Sequence, residues 1–220
     1  MRVVKIFKFF IILGVSFFEK LRLISERAKQ GERSISMDNG ASSYRRFLDG
    51  DDKGFIEIIK DYKDGLILYL NNFTENIYTA EDIAEDTFVK IITKKPRFSG
   101  KSSFKTWLFA IGRNCALDYL RKHKAKEISF DELPEMKKDT ESLEAEYIKK
   151  EDHKILHRAM ERLNPQYKQI LWLVYFENFS NQEAAIVIKK SIHNTETLLY
   201  RAKKSLKSEL DKEGYIYEKL

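Results

Sequence analysis

Apolar residues recur at spacings of three and four over two long stretches of the chain, from Tyr44 to about Lys126 and from Glu151 to about Leu210. That period puts them on one face of α-helices. Phe55, Ile58, Ile59, Tyr62, Leu66, Tyr69 and Leu70 mark one helix face. Ile83, Phe88, Ile91 and Ile92 mark a second, and Trp107, Leu108, Ile111, Cys115 and Leu120 a third. Pro96 with Ser99-Gly100 separates the second helix from the third. No run alternates apolar and polar residues as a half-buried strand would. The pattern predicts an all-α fold of two small helical domains, 44–126 and 151–212, joined by a flexible acidic linker over 127–150. The linker loses the helical period, contains Pro134, and leaves room for one short helix near 143–150.

The second stretch carries explicit start and stop residues. Leu163 closes one helix, and Asn164-Pro165 then pairs an N-cap with proline at the first helical position. The helix that follows, Gln166 to Phe176, ends at Glu177-Asn178, where asparagine tolerates a left-handed conformation. Ser180-Asn181-Gln182-Glu183 has the form of a capping box and opens a short helix that buries Ala184, Ala185 and Ile188. After a turn around 190–193, a long last helix buries Leu198 or Leu199, Ala202, Leu206 and Leu210. A short capped helix, a tight turn and a longer basic helix together predict a helix-turn-helix. Its second helix would present Asn194, Thr197, Tyr200, Arg201 and Lys204 to DNA. Helical hairpins without DNA activity share this pattern.

Charge sharpens the reading. The net charge of +6 is nearly all in residues 1–36, which carry eight Lys/Arg against three Asp/Glu. The rest is strongly segregated. Residues 49–86 hold eleven acids and three bases, 90–126 eleven bases and only Asp118 as an acid. Residues 127–152 hold ten acids and four bases, and 189–207 six bases against Glu196 alone. Two basic blocks alternating with two acidic ones predict two anion-binding surfaces, with nucleic acid the natural ligand and a merely solvated surface the alternative. One Cys excludes a disulfide scaffold and a cysteine-based zinc cluster, and nine Gly with three Pro argue against barrels and Gly-rich nucleotide loops.

Residues 1–36 stand apart. Arg2, Lys5 and Lys8 precede the apolar run Phe9–Phe18, about half of what spans a bilayer, and no small-residue cleavage site follows. Two readings stay open for them: a membrane-surface helix, or a start placed too early. On the second reading Met37 is the functional start, since Gly31-Glu32-Arg33 can be encoded by a purine run resembling a ribosome-binding site.

TAEDIAEDTFVKI (Thr79–Ile91), followed by FSGKSSFKTWLFAIGRNCALDYLRKHK (Phe98–Lys124), resembles the first conserved domain of bacterial RNA polymerase sigma factors, most closely the two-domain extracytoplasmic-function group. LNPQYKQILWLVYFENFSNQEAAIVIKKS with YRAKKSLKSEL (within Leu163–Leu210) resembles their C-terminal promoter-reading domain. The resemblance implies a transcription initiation factor, not an enzyme, that binds core RNA polymerase and promoter DNA and is controlled by an anti-sigma factor. It implies no cofactor, no metal, no small-molecule substrate, and a cytoplasmic location, on the nucleoid when active or held at the membrane by the anti-sigma partner.

Carried onto this chain, the polymerase contact falls on Glu81, Asp82, Glu85, Asp86 and Phe88. Acids three and four apart share one helix face and can meet Arg or Lys of a partner. The minus-10 element falls to Lys101, Lys105, Arg113, Asn114, Tyr119, Arg121 and Lys122, with Lys124 adding phosphate attraction. Asn114, placed at a helix and loop junction, would read the edge of a flipped base, and Phe104, Trp107 and Tyr119 either support unstacked bases or pack the core, Trp107 being read as core. The minus-35 element falls to Asn194, Glu196, Thr197, Tyr200, Arg201 and Lys204. Glu196 stands where the family usually has a basic residue; an acid cannot bond phosphate but can accept from cytosine N4. The linker carboxylates Asp131, Glu132 and Glu135 suit a stretch that mimics nucleic acid in the polymerase channel.

The alternatives are weaker. His153 and His157 share a helix face but no third ligand stands at metal spacing. Cys115 lies on an apolar face, as a structural thiol does. Walker, Rossmann and nucleophile-elbow patterns are missing. A stand-alone helix-turn-helix regulator is the remaining rival; it would leave Phe98–Lys124 without a role.

Overall fold

A computed structural model of the chain describes residues 39–127 and 151–213, with side chains for 39–123 and 155–213. The expectations for residues 1–36, for nearly all of the linker with Asp131, Glu132 and Glu135, and for the side chains of Lys124 and His153 lie outside these residues. Within them every regular element is a helix, and no strand occurs. Eight α-helices follow in order: α1 (Asn39–Leu48), α2 (Asp52–Thr74), α3 (Ile77–Lys94), α4 (Phe104–Glu127), α5 (Glu151–Glu161), α6 (Pro165–Leu171), α7 (Asn181–Ile188) and α8 (Ile192–Lys212). A π-helical turn, Trp172–Phe176, continues α6.

Local chemistry sets the boundaries. The Asp51 carboxylate accepts from the Lys53 amide at the start of α2, and Asn76 from the Thr79 amide at the start of α3. These bonds satisfy amides that the first helical turn leaves unpaired. Glu75 and Lys95 end α2 and α3 in the left-handed conformation, each amide returning to a carbonyl four residues back. Asn164 caps α6 through the Gln166 amide, with Pro165 next, and Asn178 is left-handed, as the sequence predicts.

The described chain divides into two compact units. One contains α1 to α4 together with residues 182–191, which comprise most of α7 and the turn after it; the other contains α5, α6 with its π-helical turn, and α8. In the first unit α2, α3 and α4 close around Leu66, Tyr69, Leu70, Ile83, Ile91, Leu108 and Phe109, all buried. An aromatic cluster anchors α1 and the α3–α4 loop. Tyr44 packs 5.4 Å from Phe104 and 5.3 Å from Trp107, and its hydroxyl donates to the Pro96 carbonyl at 2.7 Å. Phe98 in the loop meets both Phe104 and Trp107. Trp107 is therefore core-supporting, and Phe104 is wholly buried.

In the second unit α8 buries Thr195, Leu199, Ala202, Leu206 and Leu210 against α5 and α6. Its C-terminus is fastened to α5 and the turn after it by Glu213, whose carboxylate takes Arg158 of α5 at 2.9 Å and Arg162 of the turn at 2.5 Å. These two guanidinium groups hold the Glu213 carboxyl below the usual carboxylate range, the Arg158 bond contributing most. The apolar period misplaces two residues: Ile92 is 42% exposed, because α3 turns it away from the face that carries Ile83, Phe88 and Ile91, and Leu120 on α4 is 36% exposed.

Candidate polymerase and nucleic-acid interfaces

Helix α3 presents the acidic surface. Its buried residues are Ala80, Ile83, Ala84, Thr87, Phe88 and Ile91, which fixes its rotation. Asp82, Glu85 and Asp86 consequently face solvent and Glu81 sits at the edge, half-buried. Phe88 does not share that surface. It is 6% exposed, its ring meets Phe55 edge-on at 6.2 Å, and it supports the acidic face from beneath. The apolar side chains that do lie among the acids are Tyr78, Val89 and Ile92. Sequence reasoning passed over Tyr78 and Val89; both are out of phase with the core residues of α3, and that phase difference was the available signal.

Helix α4 carries the basic surface across a single long element. Lys101, Arg121 and Lys122 are exposed, while Lys105 and Arg113 are half-buried. The Lys105 ammonium lies 5.4 Å from the centre of the Phe109 ring, and Arg121 pairs with Asp118 one turn back. Tyr119 stacks on His123, ring centres 3.8 Å apart, which keeps a flat aromatic pair on the basic side of the helix. Asn114 is not at a helix and loop junction as expected. It sits mid-helix, because α4 runs unbroken from Phe104 to Glu127. There it lines an open groove of about 740 Å³ with Arg113, Asp118, Arg121, His123 and Lys189. The Arg113 Nε–H is buried without a hydrogen-bond partner, as is the hydroxyl of Tyr69, wholly buried on α2. Burial drives the Tyr69 phenol far above its ordinary pKa, with the Arg113 charge pulling weakly the other way.

On α8 the buried row Thr195, Leu199, Ala202 and Leu206 turns Asn194, Glu196, Tyr200, Arg201 and Lys204 outward, with Thr197 half-buried. Tyr200 is 69% exposed, an unusual position for a large aromatic residue and a suitable one for stacking or contact with a base. The start of this helix and the turn before it add Lys189, Lys190, Ile192 and His193 to the exposed set. Among the described residues there is no His/Cys/Asp/Glu group able to hold a metal ion. His157 instead lies 3.6 Å from Glu161, and Cys115 is half-buried. No described helix is long and apolar enough to cross a membrane.

An all-helical chain with an acidic helix, a long basic helix and a C-terminal basic helix after a tight turn defines a class, and comparison with known proteins gives the class its family. Residues 58–126 match the family model described as Sigma-70 region 2, and residues 153–206 match Sigma-70, region 4; together these span more than half of the chain. The chain belongs to the sigma-70 family of RNA polymerase sigma factors. Within that family it falls in the extracytoplasmic-function group. It is 29% identical over 160 residues to the RNA polymerase sigma factor YlaC of Bacillus subtilis (strain 168), covering 71% of this chain and 91% of that one. It is likewise 29% identical over 153 residues to the ECF RNA polymerase sigma factor SigM of the same organism, covering 69% and 92%. Its fold is similar to that of the sigma factor RpoE from Bartonella quintana, solved with the anti-sigma factor NepR: TM-score 0.57, 22% identity, 72% of this chain and 98% of that chain.

Proposed function

We propose that this chain is a transcription initiation factor of the extracytoplasmic-function kind, which binds core RNA polymerase, directs it to promoters and helps melt them. The observation that carries the reading is the division of labour within one unit. Helix α3 exposes Asp82, Glu85 and Asp86, while Lys101 in the loop before α4 and Arg121 and Lys122 on α4 are exposed, so protein docking and DNA binding use separate elements of one compact unit. The acidic face of α3 takes the polymerase through Glu81, Asp82, Glu85 and Asp86, with Phe88 as its internal support. A basic partner surface fits it by charge-assisted hydrogen bonds.

Helix α4 takes the minus-10 region. Lys101, Lys105, Arg113, Arg121 and Lys122 attract the phosphates, and each phosphate neutralised adds about 0.7 to the salt slope on single-stranded DNA. Extruding a base costs a few kcal/mol, which backbone attraction and a base-sized recess can offset. Asn114 supplies a donor and an acceptor for a base edge, and the Tyr119–His123 stack supplies an aromatic platform. The minus-35 element falls to α8 through Asn194, Glu196, Thr197, Tyr200, Arg201 and Lys204, with Glu196 favouring cytosine over phosphate.

In this reading the functional domains are 44–126 and 151–212, with 127–150 as the connecting linker. The chain works in the cytoplasm on macromolecules, without a substrate or cofactor of its own. An anti-sigma factor is its natural antagonist, since a protein that covers either charged surface prevents initiation.

The test is co-elution of the full chain with core RNA polymerase on size exclusion, beside the variant Asp82→Ala/Asp86→Ala. The wild type should co-elute and the double variant should be weakened about tenfold or more. A chain that binds duplex DNA but never polymerase would replace this reading with a stand-alone regulator.

A further inference from the structure

His123 lines the open groove of α4, and its ring is held in two ways. It stacks on Tyr119 with ring centres 3.8 Å apart and planes inclined by 23°. Its Nδ1 lies 3.0 Å from the Tyr119 carbonyl oxygen, one helical turn back. A carbonyl oxygen only accepts, so Nδ1 carries a hydrogen and donates it. That bond fixes the tautomer of the neutral ring. Nε2 is then a bare acceptor, and it becomes a donor only when the imidazole takes a second proton. The side chain is exposed, and Nε2 has no hydrogen-bond partner among the described residues. The charged groups that line the groove with His123 are Arg113, Asp118 and Arg121 of α4, and Lys189, which follows α7. The one acid among them, Asp118, is paired with Arg121, so the groove is left net positive.

Neither stacking nor steady phosphate attraction requires a histidine at this place. Phenylalanine would stack on Tyr119, and lysine would carry a permanent charge. A histidine adds a charge that depends on pH. We propose that His123 is a proton-gated phosphate contact, its Nε2–H donating to a backbone phosphate of single-stranded DNA in the groove only when the ring is protonated. This deepens, and rests on, the reading of α4 as the helix that takes the minus-10 strand. With the ring neutral, Nε2 sets a lone pair against a phosphate oxygen, acceptor against acceptor. With the ring protonated, the same atom makes a charge-assisted hydrogen bond. Because only the protonated ring makes the contact, DNA binding is linked to proton uptake. Affinity therefore rises as pH falls through the region near about 6.5 in which histidines titrate. Arginine and lysine keep their charge across that region, so the change belongs to the imidazole.

The experiment measures fluorescence anisotropy of labelled oligo-dT with the full chain at about pH 6 and about pH 8, over a salt series at each pH. His123→Phe, His123→Arg and His193→Gln are run beside it. Phenylalanine keeps a ring to stack on Tyr119 but has no nitrogen, and arginine keeps a flat charged group at both pH values. His193, exposed near the start of α8, is a histidine outside the groove. The wild type should bind about five- to tenfold more tightly at the lower pH. Its plot of log affinity against log salt should steepen there by about 0.7, the value of one further phosphate on a single strand. His193→Gln should keep both changes, His123→Phe should lose both, and His123→Arg should keep the steeper slope at both pH values. A ring with a merely structural role would lower affinity equally at the two pH values and leave their ratio alone. A pH ratio unchanged in His123→Phe, lost in His193→Gln, or missing from the wild type overturns the inference and leaves the proposed function intact. Failure of every protein to bind DNA, alone or with core polymerase, overturns the assignment of α4 and the inference with it.

Discussion

Gly54 lies where α2 crosses α1, and its replacement by alanine tests how tightly that crossing is set. A Cβ at this position would stand 2.2 Å from the Ser43 carbonyl oxygen and 3.0 Å from the Phe47 amide nitrogen. An unstrained carbon–oxygen contact is about 3.3 Å, so the overlap is about 1 Å. Both obstacles are backbone, so no rotamer change relieves it; α1 must move away from α2. That motion loosens the packing of Phe47 on Phe55, ring centres 5.1 Å apart, and the bonds from Ser43 and Arg46 to Glu57. Overpacking costs about 1–3 kcal/mol, here near the top of that range, and alanine returns up to about 1 kcal/mol of helix propensity. The net loss should be about 2 kcal/mol. For a unit of this size each kcal/mol is worth about 4–8 °C, so its melting temperature should drop by about 8–16 °C. Fluorescence can follow that unit alone: the chain has two tryptophans, Trp107 in it and Trp172 in the other, so Trp172→Phe isolates the signal. Gly100→Ala is the comparison, since Gly100 has φ +71° and open space around it, and its loss should be only about 1 kcal/mol from backbone strain. A Gly54→Ala chain as stable as wild type, or stabilised by the propensity gain, would refute the close-approach argument.

Three further perturbations separate stability from function. Glu213→Gln should destabilise the α5–α8 unit at neutral pH. Because the folded pKa of Glu213 is lowered, its contribution is complete above the usual carboxylate value near 4.5 and disappears as pH falls through the lower folded value, so wild-type and variant urea midpoints should converge in acid. Tyr69→Phe removes a buried hydroxyl without a partner and should be neutral or stabilising by about 1 kcal/mol. The raised Tyr69 pKa makes wild-type stability decline as pH rises past about 10, and the phenylalanine variant should decline less steeply in alkaline urea titrations. Asp118→Asn removes the only acid of the basic block and frees Arg121. DNA binding at low salt should tighten about threefold and the advantage should shrink as salt is raised, measured by anisotropy.

Much of this protein is legible in one dimension because helices read locally. The period of three and four residues places Ile58, Leu66, Tyr69 and Leu70 in a common core, and Asn164-Pro165 and Asn178 punctuate the C-terminal helices by properties of their own side chains and backbone. Segregation of acids before residue 90 and bases after it survives folding, since the acids lie mainly on α2 and α3 and six of the eleven bases lie on α4. What the pattern could not fix is rotation and distance. Phe88 and Val89 are adjacent apolar residues, and only the packing of α3 on α2 and α4 decides that the first is buried and the second exposed. Asn114 shifts from an expected junction to mid-helix because nothing after Phe104 interrupts α4. Glu183 belongs to a capping-box sequence, yet its carboxylate reaches hydroxyls about 80 residues away, a partnership set by the packing of α7 with the first unit. Sequence alone determined the helices, their charge and the family likeness, because these depend on neighbours three or four residues apart. Tertiary structure alone decided which side chains face outward and which distant groups meet, because those depend on how whole helices fill space against one another.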